Sequence, residues 1–165
     1  MLRPIRMSDA PRFVKWLSDP SVNKFTTKKP VSLKEEKAWI KSISKQKNEV
    51  NFAIDTKEGI HIGSTNFHNI FKDDKYAVFD ILIGDKRYWN KGYGTEASSI
   101  LIDFGFKKLK LHRIGLSVYE YNPRAVALYK KLGFKLEGRK RESVLYKKKF
   151  YDELTMGLLR SEWLK

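Results

Sequence analysis

Apolar residues either alternate with polar ones or recur at helical spacing along nearly the whole chain, and these two periods divide it into short elements. Leu2-Arg3-Pro4-Ile5-Arg6 alternates and predicts an opening strand. Phe13, Trp16 and Leu17 share one helical face behind Ser8 and Asp9, which are expected to cap that helix before Asp19-Pro20 ends it. A polar stretch containing Lys28, Lys29 and Pro30 follows. Ser32 and Glu35 then stand at capping-box spacing ahead of a helix with Trp39, Ile40 and Ile43 as its stripe. Residues 51–55, 61–70 and 76–83 read as three successive strands joined by turns short enough for hairpins. A helix over about 94–109 is expected to turn Ala97, Ile100, Leu101, Phe104 and Leu109 inward. Residues 114–118 predict a strand, and 123–132 a helix with Pro123 at its start and Gly133 just past its end. Strands over 135–145 and 150–159 flank Lys147-Lys148-Lys149. The order β-α-α-β-β-β-α-β-α-β-β predicts one mixed α/β domain over 1–165, with about seven strands and about four helices.

Composition narrows the function classes. The 4 Trp, 8 Tyr and 10 Phe argue for a packed core rather than disorder. Cysteine is absent, which removes disulfides, thiolate nucleophiles and cysteine-based metal sites. No apolar run approaches the roughly 20 residues of a membrane helix, and Met1-Leu2-Arg3-Pro4 does not begin like a signal peptide, so the expectation is a cytoplasmic protein without a membrane partner. The net charge of +15 points towards a polyanion: nucleic acid, ribosome or a phosphate-rich small molecule.

Chemistry concentrates in Trp89-Asn90-Lys91-Gly92-Tyr93-Gly94-Thr95-Glu96-Ala97, between a predicted strand and a predicted helix. Open amides and the positive end of the helix dipole meet there, and glycines allow a phosphate to approach the backbone. Gly92, Gly94 and Ala97 also satisfy a dinucleotide fingerprint, but a three-strand meander precedes the loop and only one βα repeat follows, which does not fit a dinucleotide domain. The alternative reading of the loop is a plain strand–helix turn.

Two blocks together make the chain resemble the GCN5-related N-acetyltransferase superfamily, in its branch of ribosomal-protein N-terminal and spermidine acetyltransferases. One is the glycine loop, which resembles the family pattern Q/R-x-x-G-x-G/A with Trp89 at its first position, a variant of the ribosomal-protein branch. The other, Asn122 to Phe134, resembles the family segment N-x-x-A-x-x-x-Y-x-K-x-G-F. The resemblance runs from Leu2 to Trp163 and implies the family fold, with a mixed and mostly antiparallel central sheet. It implies acetyl-CoA as co-substrate and no metal. It also implies that the backbone of Leu82, Ile83 and Gly84 pairs with the pantetheine arm, and that the loop Trp89, Asn90, Lys91, Gly92, Tyr93, Gly94 and Thr95 holds the pyrophosphate. By the same carry-over Asn122 and Ala125 meet the cofactor, and Tyr129 protonates the leaving thiolate. Read without the resemblance, 81–83 is core strand, Asn122 a helix cap and Tyr129 a packed aromatic.

The family pattern places an acid where this chain has Val78, whereas Asp80 stands two residues on, on the same strand face. Asp80 is therefore the candidate for handling the acceptor's proton, against the alternative of a polar residue on a wet strand. His61, His68 and His112 lack metal-ligand spacing and read as structural or exposed. On a regular strand His61 and His68 would face opposite sides; His68 is the one able to line an acceptor cleft. Lys86, Arg87 and Lys91 suit a cofactor rich in phosphate. Residues 130–149 carry nine basic side chains against Glu137 and Glu142, fitting an acidic or ribosomal partner or simply a solvated face. The expected acceptor is a protein N-terminal α-amine, ribosomal proteins included. The alternatives are a small amine (amino sugar or polyamine) and a non-catalytic acyl-CoA-binding or RNA-associated module. The charge argues against a polycationic acceptor, and homodimerisation stays open.

Overall fold

Seven strands form one mixed sheet: β1 (Leu2–Pro4), β2 (Val50–Asp55), β3 (His61–Phe71), β4 (Tyr76–Ile83), β5 (Arg113–Tyr119), β6 (Lys135–Tyr146) and β7 (Lys149–Leu159), in the order β1-β2-β3-β4-β5-β7-β6. The helices are α1 (Ala10–Ser18), α2 (Pro20–Asn23), α3 (Leu33–Ile43), α4 (Tyr93–Lys107), α5 (Pro123–Lys131) and α6 (Arg160–Trp163). The computed structural model describes residues 1–26 and 30–164, so Lys28 and Lys29 of the polar stretch lie outside the described residues. β1–β2, β2–β3, β5–β7 and β6–β7 pair antiparallel. β4 and β5 pair parallel, as strands joined through a crossover helix must. That parallel ladder comprises only Tyr76–Val78 with Arg113–Gly115, although β4 runs on to Ile83. The chain divides into two compact units, residues 1–68 with 80–101 and residues 69–79 with 102–165.

In the first unit β4 is covered on both faces. Leu82 packs with Phe13, Trp16, Val22, Ile40, Trp39 and Trp89. Ile81 and Ile83 pack with Ile54, Ile62, Ala97, Tyr88 and Tyr93. Alternate strand residues thus serve different clusters, as a pleated backbone requires. The capping box at α3 forms, with Ser32 Oγ accepting from the Glu35 amide at 3.2 Å and Glu35 Oε2 from the Ser32 amide at 2.7 Å. Asp9 does not cap α1 as expected. Its carboxylate instead takes Arg3 Nη1 and Nη2 at 2.7 and 2.8 Å and the Arg6 amide at 2.8 Å, because a bidentate charged pair is stronger than a helix cap. Burial pushes the Asp9 carboxyl up, but Arg3 and the Arg6 amide outweigh it and hold it below its ordinary range.

Register decides the faces of the two β3 histidines. The β2–β3 ladder shifts between Ile54 and Asp55, so that Ile62 is an extra residue on β3. The His61 ring meets Phe13 and Trp16 at centroid distances of 5.2 and 4.9 Å. His68 Nε2 lies 2.9 Å from Asp80 Oδ2, two residues before Leu82 of that same aromatic cluster. The two histidines share a face, against the expectation for a regular strand, because the bulge reverses the alternation.

The second unit buries the row Ile114, Leu116 and Val118 on β5 with Leu158, Met156 and Leu154 opposite on β7. β6 is the sheet edge, and three of its four cations are paired: Arg139 with Asp152 at 2.6 Å and Glu120 at 3.1 Å, Lys140 with Glu153 at 3.3 Å, Lys135 with Glu162 at 2.5 Å. Ile100 of α4 is exposed rather than inward; Ile102 and Phe106 are the buried positions.

Candidate active site

The loop after β4 folds around one indole. Trp89 packs in the first unit's aromatic cluster and donates Nε1–H to the Ile83 carbonyl at 2.6 Å. Its amide donates to the Lys86 carbonyl at 3.1 Å. The chain then turns through Asn90 at φ 60° and Gly92 at φ 85°, a left-handed conformation that glycine adopts without cost. Nothing lies within 4 Å of where a Gly92 side chain would start, so the backbone there faces open space. The Gly92 carbonyl accepts from the Glu96 amide at 3.0 Å and starts α4. The amides from Asn90 to Thr95 donate to no group among the described residues. Six such donors at the N-terminus of a fifteen-residue helix suit a pyrophosphate.

The cations around the loop are less free than the sequence suggests. Lys86 pairs with Asp19 at 2.7 Å and Arg87 with Asp85 at 2.6 Å. Lys91 stands over the Tyr88 ring at 5.7 Å. A cavity of about 260 Å³ borders the loop on the side of the β2–β3 turn, lined by Asp55, Lys57, Glu58, Lys91, Tyr93 and Glu96; this mixed charge does not suit a polyphosphate.

The three residues expected to pair with pantetheine are not equivalent. The Gly84 amide donates to the Ile62 carbonyl at 2.9 Å, and the Asp80 carbonyl accepts the Thr65 hydroxyl at 2.8 Å, so even-numbered backbone groups of this stretch turn towards β3. By alternation Leu82 turns the same way, and Ile83 presents its N–H to the opposite edge, its carbonyl being held by the Trp89 indole. Gly84 has a packing role that the sequence did not signal: a Cβ there would land inside the Trp16 indole.

Asp80 is exposed, and its only ion-pair partner among the described residues is His68. In the second unit, Asn122 Oδ1 accepts from the Ala125 amide at 3.3 Å, so Asn122 is the cap of α5. Its carboxamide nitrogen is the end available to a ligand. Tyr129 lies about two turns along that helix, 6 % exposed, edge-on to Phe79 at 6.2 Å and beside Phe134 at 5.9 Å. The structure thus groups Leu82, Ile83 and Gly84 with the loop residues in the first unit, and Asn122, Ala125 and Tyr129 on one helix in the second.

A family model described as an acetyltransferase (GNAT) domain matches residues 1–135. The chain belongs to this acetyltransferase family. It is similar over 99 % of its length to the spermidine N(1)-acetyltransferase of Escherichia coli (strain K12), at 28 % identity over 166 residues covering 87 % of that protein. It is similar also to an uncharacterized N-acetyltransferase, YnaD, of Bacillus subtilis (strain 168), at 26 % identity over 164 residues, 99 % of this chain and 95 % of that one. Among solved structures it resembles the spermidine N-acetyltransferase of Vibrio cholerae in complex with CoA and spermine, with a TM-score of 0.92 at 25 % identity over 100 % of this chain and 98 % of that one. The chain is therefore an acetyl-CoA-dependent N-acetyltransferase, and its seven-stranded mixed sheet is the family fold. No helix among the described residues is long and apolar enough to cross a membrane, and none of their acidic and histidine side chains cluster as metal ligands.

Proposed function

We propose that this acetyltransferase acylates a small primary amine, with polyamines as the first class to test. The observation that carries this reading is full-length similarity to two spermidine acetyltransferases, one of them solved with spermine. It favours a small amine over the protein N-terminus expected from Trp89. The +15 loses its weight as an argument against a polycation. Three basic residues of the second unit are ion-paired along an edge strand, and salt screens charges that lie more than about 8 Å from an approaching amine. What an approaching ammonium meets is local, and Asp80 is a carboxylate with its side chain 57 % exposed.

When bound, acetyl-CoA supplies the activated thioester. The amides of Trp89 to Thr95, apart from the one Trp89 uses on Lys86, hold its pyrophosphate. The outward N–H of Ile83 donates to the thioester carbonyl oxygen, the placement that stabilises charge building there. The Asn122 carboxamide orients the arm. Tyr129, a phenol protonated at neutral pH, gives a proton to the departing sulfur. Asp80 receives the acceptor's ammonium.

The test follows free thiol with acetyl-CoA and a panel of spermidine, spermine, an amino sugar and a peptide with a free N-terminus. Spermidine or spermine should react fastest. Acetylation of the peptide alone would overturn the small-amine reading. Tyr129→Phe should lower turnover about a hundredfold while stabilisation of the chain by acetyl-CoA stays as in the parent.

A further inference from the structure

We propose that His68, rather than Asp80, takes the proton from the acceptor amine, with Asp80 as the residue that positions the ring; this rests on the acetyltransferase reading above. The two side chains come from neighbouring strands and meet at 2.9 Å between His68 Nε2 and Asp80 Oδ2. Both are reachable from solvent, at 30 % and 57 % exposure. The Thr65 hydroxyl donates to the Asp80 carbonyl at 2.8 Å and ties the Asp80 backbone to β3, the strand that carries His68. Asp80 shares its strand face with Leu82, one residue before the outward amide of Ile83. A carboxylate 2.9 Å from one ring nitrogen steadies the imidazolium once it forms. An imidazole is also better matched than a carboxylate to removing a proton near pH 7.

The protons balance as follows. An ammonium nitrogen loses two protons in becoming an amide. The first N–H bond breaks towards the His68 imidazole, and the imidazolium, paired with Asp80, later releases that proton to solvent. The nitrogen lone pair forms the new C–N bond, the C–S bond breaks with its electrons on sulfur, and Tyr129 supplies the proton the sulfur takes. The second proton from nitrogen restores Tyr129 through solvent. The charged group that meets the His68 ring from β4 is Asp80, and its carboxylate favours the imidazolium.

Three forms separate the roles: the parent, His68→Gln and Asp80→Asn, compared by the pH profile of acetyl transfer and by NMR titration of the His68 ring without acetyl-CoA. In the parent, turnover should rise with pH through a limb that coincides with the ring's own titration. His68→Gln should abolish that limb and cost about a hundredfold in turnover, with the KM for acetyl-CoA unchanged. Asp80→Asn should keep the limb and move it to lower pH, and the ring titration should move with it, because removing the anion makes the imidazolium easier to deprotonate. A His68→Gln enzyme with the parent's limb and rate overturns the inference, as does a limb lost in Asp80→Asn and kept in His68→Gln. If His68→Gln failed to fold, a parent limb that does not coincide with the ring titration would overturn it instead. Failure of the underlying reading looks different: the parent itself would acetylate no small amine and gain no thermal stability from acetyl-CoA.

Discussion

The glycine loop and the β6–β7 hairpin are both lysine-rich in sequence, yet they put their polar groups to opposite use. Around the loop, Lys86 and Arg87 are occupied by Asp19 and Asp85, and Lys86 with Ser21 holds the Asp19 carboxyl down to about 2. What stays open there is backbone, the amides from Asn90 to Thr95. In the hairpin the backbone is laddered to β7 over 135–140 and 144–146, with register shifts at Glu137 and at 141–143, and cations line a sheet edge with carboxylates beside them. Charged edges keep strands from pairing with other chains. The hairpin is tipped by Lys147 and Lys148, both at positive φ, in a two-residue turn that favours Asn-Gly. Open donors with no partner mark a binding site more reliably than a run of lysines does.

The sharpest way to break this comparison is at Gly84. Gly84→Ala drives a methyl into Trp16 beneath the loop and should destabilise the chain by about 3 kcal/mol, read as a fall in the urea midpoint. An unchanged midpoint would show that the loop's support is not the packed indole.

The next effect is the pH dependence of stability. Burial pushes the His61 imidazole below its ordinary range, against the nearby Asp9 carboxylate, so the unfolded chain binds a proton there that the folded chain resists. That stability is fully present above about pH 6.5, the ordinary histidine value, and falls as pH drops below it. Urea midpoints between pH 8 and 5 should show the decline, and His61→Asn should flatten it. An equally steep decline in the variant would assign the proton uptake to another group.

The smallest expected effect lies in the hairpin. Lys147→Asn with Lys148→Gly relieves two left-handed lysines and should raise stability by about 1 kcal/mol. Stabilisation by acetyl-CoA should not change, since these cations have no part in holding it. Weaker acetyl-CoA binding would give the hairpin a role that its ion pairs do not suggest.

Much of the fold was legible because it rests on local rules. The 3.6 and 2.0 periods located each strand and each long helix to within two residues or so, and the Ser32–Glu35 box and the Pro123–Gly133 boundaries hold as read. Ile100 was misread because helical spacing does not tell which of two adjacent stripes is covered. Asp9 was misread as a cap because Arg3, six residues earlier, reaches it only once β1 is in place. The loop, Asn122 and Tyr129 stood out through two short motifs, whereas the pairing of His68 with Asp80 left no trace in either.

By itself the sequence determined the element order, the absence of thiol chemistry, the glycine loop and the family to which the chain belongs, because each is written in neighbouring residues. Tertiary structure alone decided which charges are spent. Cations at Arg3, beside the loop and along the β6 edge are held in ion pairs, whereas the excess of 34 basic over 19 acidic residues cannot be paired within the chain. It also decided, through one extra residue in β3, that both β3 histidines face the same side. The physical reason is common to both: pairing across strands depends on register, and register is set by contacts between segments far apart in the chain.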